Sequence, residues 1–198
     1  MAAEASRAAR IGPDVEALAR EGTLAGRWVL DPRGSRVGFG VRHFWGAVTV
    51  RGWFERIEGE GVVSPDGNVN GQLVMDAASL TTKNKQRDRH LRSGDFFGAA
   101  DHPRVVVTVS RAELVPGGQL AAEGELEAAG VREPVSFTAE VVDASADAVT
   151  LRGGLTVDRS RFGMTWSPLK MASMQATGSV TARFTRAGAG RPPDAGPA

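Results

Sequence analysis

Three histidines, His43, His90 and His102, are the side chains of this sequence best suited to acid–base or metal chemistry. None lies in a spacing typical of a zinc site, and the absence of cysteine excludes thiolate ligands, disulfide bonds and a cysteine nucleophile. GxSxG, P-loop and GxGxxG motifs are also absent. We therefore expect no metal site and no enzymatic activity. An enzyme acting on a small hydrophobic substrate through His43 is the alternative.

A second group of candidate residues is the basic segment 83–92, which carries five Lys or Arg residues and a single acid, Asp88. Such a run of cations could bind nucleic acid, but no aromatic residues interleave with the cations, and the whole chain has a net charge of only +1. We interpret the segment as a solvated, ion-paired face, with attraction of an acidic head group or partner as the alternative. We do not expect nucleic-acid binding.

The elements that must position these residues are β-strands, because apolar side chains alternate along most of the chain. In the first clear strand, Val37, Phe39, Val41 and His43 fall on one face. The pattern predicts about eight strands with glycine-rich turns, which is typical of an antiparallel sandwich or barrel. The other alternating segments are 48–54, 69–77, 105–109, 120–126, 135–141, 149–157 and 180–184.

Only one segment within this β-rich region has the features of a helix. Residues 84–93 show no alternation, Asn84 is a suitable N-cap, and Gly94 is a suitable stop. Phe96 and Phe97 follow directly and would anchor the end of the helix. We expect this short helix to lie near the mouth of the barrel.

The chain divides into an N-terminal arm at 1–26 with a short helical signal, one domain at 27–186, and a tail at 187–198. The tail is expected to be disordered, because it carries three Pro and three Gly and no large apolar side chain. No apolar stretch approaches the length of a membrane span, and the N-terminus does not have the pattern of a signal peptide. We therefore expect a cytoplasmic location.

The interior of the predicted barrel is the remaining candidate site. An eight-stranded barrel encloses a space that side chains fill or that one small ligand occupies. Many candidate inward positions are Val, Ala or Gly, and the chain has only twelve aromatic residues. The composition is compatible with both a hollow barrel and a filled one. A filled barrel would suit a protein-interaction module that docks its partner through the basic helix.

Several motifs resemble those of the YceI-like family, the lipocalin-like barrels known as polyisoprenoid-binding proteins. The most specific is the segment 87–97, which reads Arg-Asp-Arg-His-Leu-Arg-Ser-Gly-Asp-Phe-Phe. The matching segments span nearly all of the region 27–186. The others are 28–32 with Ser35, 50–54, 78–80 with Thr82, 102–103, 130–131, 134–135 and 161–163.

The resemblance implies an all-β fold, an extended antiparallel eight-stranded barrel with one short helix near its mouth. It also implies noncatalytic binding, storage or transport of a polyisoprenoid or similar long-chain amphiphile, with an isoprenoid quinone or a polyprenyl lipid as the ligand and no resident cofactor. The sequence also allows a homodimer. The implied ligand-binding residues are Val37, Phe39, Val41, His43, Trp45, Phe54, Leu73, Met75, Leu91, Phe96, Phe97, Phe137, Phe162 and Met164.

Overall fold

In a computed structural model that describes residues 15–188, the chain forms eleven β-strands and two α-helices within that range. The first fourteen residues of the predicted arm and residues 189–198 of the predicted tail lie outside the described residues. The helices are α1 (Val15–Arg20) and α2 (Lys85–Arg92). The strands are β1 (Gly26–Leu30), β2 (Arg36–His43), β3 (Val48–Phe54), β4 (Ile57–Val63), β5 (Val69–Asp76), β6 (Leu80–Thr81), β7 (Arg104–Val115), β8 (Gln119–Ala128), β9 (Val131–Ala144), β10 (Ala148–Asp158) and β11 (Ala172–Arg186).

Eight of these strands close into an antiparallel barrel, as the sequence predicts. Their order is β1, β4, β5, β7, β8, β9, β10 and β11, and β11 pairs with β1 to complete the circle. The closing pair is short: Trp28 lies opposite Arg186, and Leu30 lies opposite Phe184. Closure places alternate residues of every strand inside the barrel, where they are shielded from water.

The barrel is extended at one end by β2, β3 and β6. The long strand β11 pairs with β1 near its C-terminal end and with β2 along the rest of its length. A short turn separates β1 from β2, and the Ser35 hydroxyl stabilises it by donating to the Asp31 carbonyl oxygen at 2.7 Å and accepting from the Arg183 N–H at 2.9 Å. These contacts give the Asp31 and Ser35 positions a structural role.

Strands β1, β4 and β6 are absent from the set that alternation predicts. In β4 the reason is glycine, which occupies positions where an apolar side chain would reveal the strand. A Cβ atom on Gly59 would lie 2.9 Å from the Gln72 carbonyl oxygen, and one on Gly71 of β5 would lie 2.4 Å from that of Glu60. The close approach of β4 and β5 therefore requires residues that weaken the alternating signal.

Helix α2 begins as predicted, because the Asn84 side chain accepts a hydrogen bond from the Arg87 N–H at 3.0 Å. The buried Asp88 carboxylate attaches the helix to the barrel. It accepts from the Thr82 N–H at 2.7 Å, the Thr82 hydroxyl at 2.5 Å and the Thr81 hydroxyl at 3.1 Å. Burial acts to raise the pKa of Asp88, but these hydrogen bonds outweigh it and hold the pKa below its usual range.

We expect Asp88→Ala to lower the free energy of unfolding by about 2–3 kcal/mol, because it leaves the buried Thr82 N–H and two hydroxyl groups without their acceptor. Urea denaturation followed by circular dichroism measures this loss. Asp147→Ala, at an exposed position in the turn between β9 and β10, is the matched control and should have little effect. Equal stability of the two variants would contradict the anchoring role of Asp88.

Candidate ligand-binding bore

The barrel encloses an apolar cavity of about 270 Å³. Its wall includes many small residues, among them Gly61, Gly71, Ala122, Ala139 and Ala182. Ala122, Ala139 and Ala182 are buried, yet their side chains are too short to reach across the barrel. The interior therefore contains space that the side chains of the wall do not fill.

A second apolar cavity of about 120 Å³ lies beneath α1 at one end of the barrel. Val15 and Ala19 of α1, together with Leu24 and Trp28, form part of its wall. The two cavities adjoin, since five residues line both of them, and we refer to the two together as the bore. The shared residues are Gly61, Val69, Leu120, Leu151 and Phe184.

The segment around α1 is held over its end of the bore by polar contacts. The Glu16 carboxylate accepts from the Gly117 N–H at 3.1 Å, in the turn between β7 and β8. Trp28 donates from its indole Nε1 to the Leu24 carbonyl oxygen at 2.9 Å, and the Arg186 guanidinium lies 4.7 Å from the centre of the Trp28 ring. These contacts cap the bore without placing a charge inside it.

The opposite end, next to α2, is closed by aromatic side chains. The rings of Phe39, Phe54 and Phe97 pack against one another with centroid separations of 5.5, 5.8 and 6.0 Å. Phe162 and Met164 belong to the same hydrophobic core and also line the cavity. The bore therefore ends at the α2 side on a packed aromatic cluster.

A basic group lies at this α2 end. The Arg159 side chain lines the cavity although the residue is only 4% exposed, and its guanidinium donates to the backbone carbonyl oxygens of Met164, Trp166 and Ser173. Burial lowers the pKa of Arg159, opposed by the charge of Asp158. The arginine thus organises the loop between β10 and β11 and places a cation beside the apolar bore.

The pKa of His43 is lowered, first by burial and then by the positive charges of Arg159 and Arg87. The lowered pKa favours the neutral imidazole at neutral pH. His43 lies near two guanidinium groups, as an enzyme that uses His43 together with an arginine would require. His43 does not line the bore, however.

The other two histidines have structural contacts. His90 Nε2 lies 3.0 Å from the Asp95 carboxylate, and its ring packs against those of Phe96 and Trp166. The His102 ring lies over Gly130, where a Cβ atom would approach it to 2.5 Å. Gly130 also has a φ of +76°, so both its backbone and its contact with His102 favour glycine.

Nine of the fourteen predicted ligand-binding residues line the cavity. They are Val37, Phe39, Phe54, Leu73, Met75, Phe97, Phe137, Phe162 and Met164.

Four others do not line it. Val41 and His43 share the face of Phe39, because the register of β2 against β3 is unbroken, but they lie past the end of the cavity. Leu91 and Phe96 pack against the hydrophobic core from outside the cavity wall. The side chain of Trp45 lies outside the described part of the chain.

Two parts of the site were not predicted from the pattern of residues. Arg159 precedes the family-like segment 161–163 and gives no apolar signal of its own, so only its position in the fold reveals it. The cavity beneath α1 was also missed, although Val15 and Ala19 lie on one side of the predicted helical turn. Their small apolar face was the available signal.

Among residues 15–188, no group of three or more His, Asp or Glu side chains is arranged to hold a metal ion. Within the same range, no helix has the length and apolar character needed to cross a bilayer.

These features define an extended antiparallel barrel with a capped apolar bore. The chain belongs to the YceI-like domain family, whose model matches residues 28–185. It is 30% identical over 132 residues to a UPF0312 protein of Vibrio campbellii, covering 64% of this chain and 68% of that protein. A UPF0312 protein of Vibrio vulnificus is 32% identical over 131 residues, covering 62% and 67%.

Solved structures share the fold at lower sequence identity. BcnA of Burkholderia cenocepacia superposes with a TM-score of 0.71 at 19% identity, covering 78% of this chain and 98% of BcnA. A polyisoprenoid-binding domain from Saccharophagus degradans, implicated in plant cell wall breakdown, has a TM-score of 0.66 at 17% identity, covering 80% and 98%. These similarities establish the extended barrel architecture.

We expect the pKa of His43 in the folded protein to lie below the ordinary imidazole value of 6.5. The unfolded chain then binds this proton more readily, so the free energy of unfolding should fall as the pH drops from 6.5 towards the lowered pKa. NMR titration and denaturation at several pH values measure both effects. Arg87→Gln should raise the pKa of His43 by removing one like charge, and His43→Gln should lack this part of the pH dependence. A folded-state pKa of 6.5 or higher would contradict the assignment.

Proposed function

We propose that this protein binds a polyisoprenoid or a similar long-chain amphiphile in its bore and stores or transports it without chemical change. The observation that carries the proposal is the apolar bore running from α1 to the aromatic cluster beside α2. An isoprenoid quinone or a polyprenyl lipid is the ligand class that we infer.

The length and polarity of the bore suit a long chain. The part of β11 that lines the bore, residues 176–184, extends about 30 Å along the strand, which corresponds to roughly 20–25 Å along a barrel axis when the strands are tilted. Burying each methylene group of a ligand contributes about 0.8 kcal/mol, so several isoprene units would be held without any directed polar contact. Binding of this kind depends on the shape and dryness of the bore.

The inference of a noncatalytic role is supported by the wall itself. Its side chains are mainly aliphatic and aromatic, and the Arg159 guanidinium donates its hydrogen bonds to backbone carbonyl oxygens. The fold similarity to a polyisoprenoid-binding domain of Saccharophagus degradans supports the same class of ligand for this chain.

The proposal is tested by purifying the full chain under mild conditions, extracting it with organic solvent and identifying the extract by mass spectrometry. We expect an isoprenoid lipid in stoichiometric amount. Delipidated protein should then rebind a radiolabelled polyprenol in competition with unlabelled isoprenoid quinone. An empty protein that binds neither compound would overturn the proposal.

Ala122→Leu should weaken polyprenol binding by about tenfold or more, because the three added carbon atoms occupy the volume of about three ligand methylenes. Ala121→Leu is the matched control: Ala121 is the preceding residue of β8, and it is exposed on the outer face. Equilibrium binding measures the affinity, and urea denaturation shows whether both variants remain folded. If Ala122→Leu folds and binds as the wild type does, the ligand does not lie in this bore.

A further inference from the structure

Four large hydrophobic side chains are exposed at the α2 end of the barrel. They are Phe44 at 48%, Val48 at 50%, Trp166 at 42% and Leu169 at 84% exposed, and we call them the apolar rim. Only two other large hydrophobic residues of the described chain are comparably exposed, Val29 and Val62, both at 41%. Exposed apolar side chains gathered in one region indicate an interaction surface.

The apolar rim comes from the loop between β2 and β3, with the first residue of β3, and from the loop between β10 and β11, which contacts α2. The Phe44 N–H donates to the Met171 carbonyl oxygen at 2.8 Å, which joins the loop between β2 and β3 to the loop between β10 and β11. The Trp166 ring lies 4.4 Å from that of His90 in α2. The two loops and the basic helix therefore form one continuous surface.

The backbone of these loops presents the apolar side chains outward. Phe44 has a φ of +50° and Leu169 a φ of +52°, in the left-handed region that favours glycine. Holding a bulky residue there is unfavourable, and burial of these two side chains within the fold does not offset the cost. A partner that covers the rim would provide the missing burial.

The charge around the rim is positive. Lys85 and Arg89 of α2, Arg42 of β2 and Lys170 between β10 and β11 are all exposed. The sequence has no acidic residue at 40–54 or at 159–188, and the one acid of α2, Asp88, is buried. The exposed Asp95 follows the helix, and its carboxylate lies 3.0 Å from His90 Nε2. Because the whole chain has a net charge of only +1, the positive charge at this end is balanced by negative charge elsewhere in the molecule.

We propose that the apolar rim docks onto an anionic lipid bilayer, with Phe44, Val48, Trp166 and Leu169 entering the interfacial region and the surrounding cations contacting lipid phosphates. Apolar side chains together with flanking cations are the combination that binds such a surface. A second copy of this chain fits less well, since a symmetric contact through the same rim would bring two basic surfaces together.

This docking does not depend on what the bore holds. It places the end of the bore closed by Phe39, Phe54 and Phe97 towards the bilayer, while α1 caps the end that faces away. A long-chain ligand would then meet the membrane across the aromatic cluster.

The absence of cysteine allows a direct test by site-specific labelling. The full chain carrying Leu169→Cys is labelled with an environment-sensitive fluorophore and mixed with vesicles of phosphatidylcholine, with or without phosphatidylglycerol. We expect a blue shift and increased emission only with phosphatidylglycerol, weakening as salt is raised. The label at Val62→Cys, an exposed position of β4, is the matched control and should not respond.

Vesicle co-sedimentation of unlabelled protein tests the two contributions separately. Leu169→Asp should abolish binding, and Lys85→Glu or Arg89→Glu should each weaken it by at least about fivefold. Val62→Asp should bind as the wild type does, and circular dichroism confirms that each variant is folded. The proposal is overturned if the wild type does not bind anionic vesicles, or if Leu169→Asp binds as well as Val62→Asp. It is also overturned if ultracentrifugation without vesicles shows self-association that Leu169→Asp removes, because the rim would then bind a second copy.

Discussion

The size of the side chains that face inward is the constraint on which the rest of this structure depends. A closed barrel shields its inner surface from water, but glycine and alanine on β4, β5, β8, β9, β10 and β11 cannot reach its axis. The resulting apolar cavity lacks the dispersion contacts of a packed core, and an empty cavity costs stability in proportion to its volume. An apolar occupant restores those contacts, so the same feature that weakens the empty barrel makes it receptive to a ligand.

The two ends of the bore are closed in different ways. At one end the six-residue helix α1 rests on the barrel with Val15 as its buried residue, assisted by a few polar contacts. At the other end α2 is attached by the buried Asp88 and by the aromatic cluster of Phe39, Phe54 and Phe97. Local stability follows the amount of buried contact, so the α2 end is the more firmly held of the two.

The residues that most clearly mark the family serve this attachment. In the segment 87–97, Asp88 accepts hydrogen bonds from Thr81 of β6 and from the next residue, Thr82. His90 lies against Asp95, and Phe97 helps to close the bore. These contacts give the Asp88, His90 and Phe97 side chains structural roles. The charges of this segment that remain exposed, notably Arg89, give the α2 end its basic surface.

The sequence by itself determined the strands with strong alternation, the capped helix α2 and the inward face of Val37 and Phe39, because each depends on neighbouring residues. It could not reveal β4, whose glycines reflect close contact with β5, or decide whether the barrel is hollow. Period-two alternation defines which face of a strand is apolar, but not what lies opposite that face across the barrel. Closure of β1 on β11 decided that, together with the burial of Arg159 beside the bore and the position of α1 over its far end, since all three depend on residues distant in sequence.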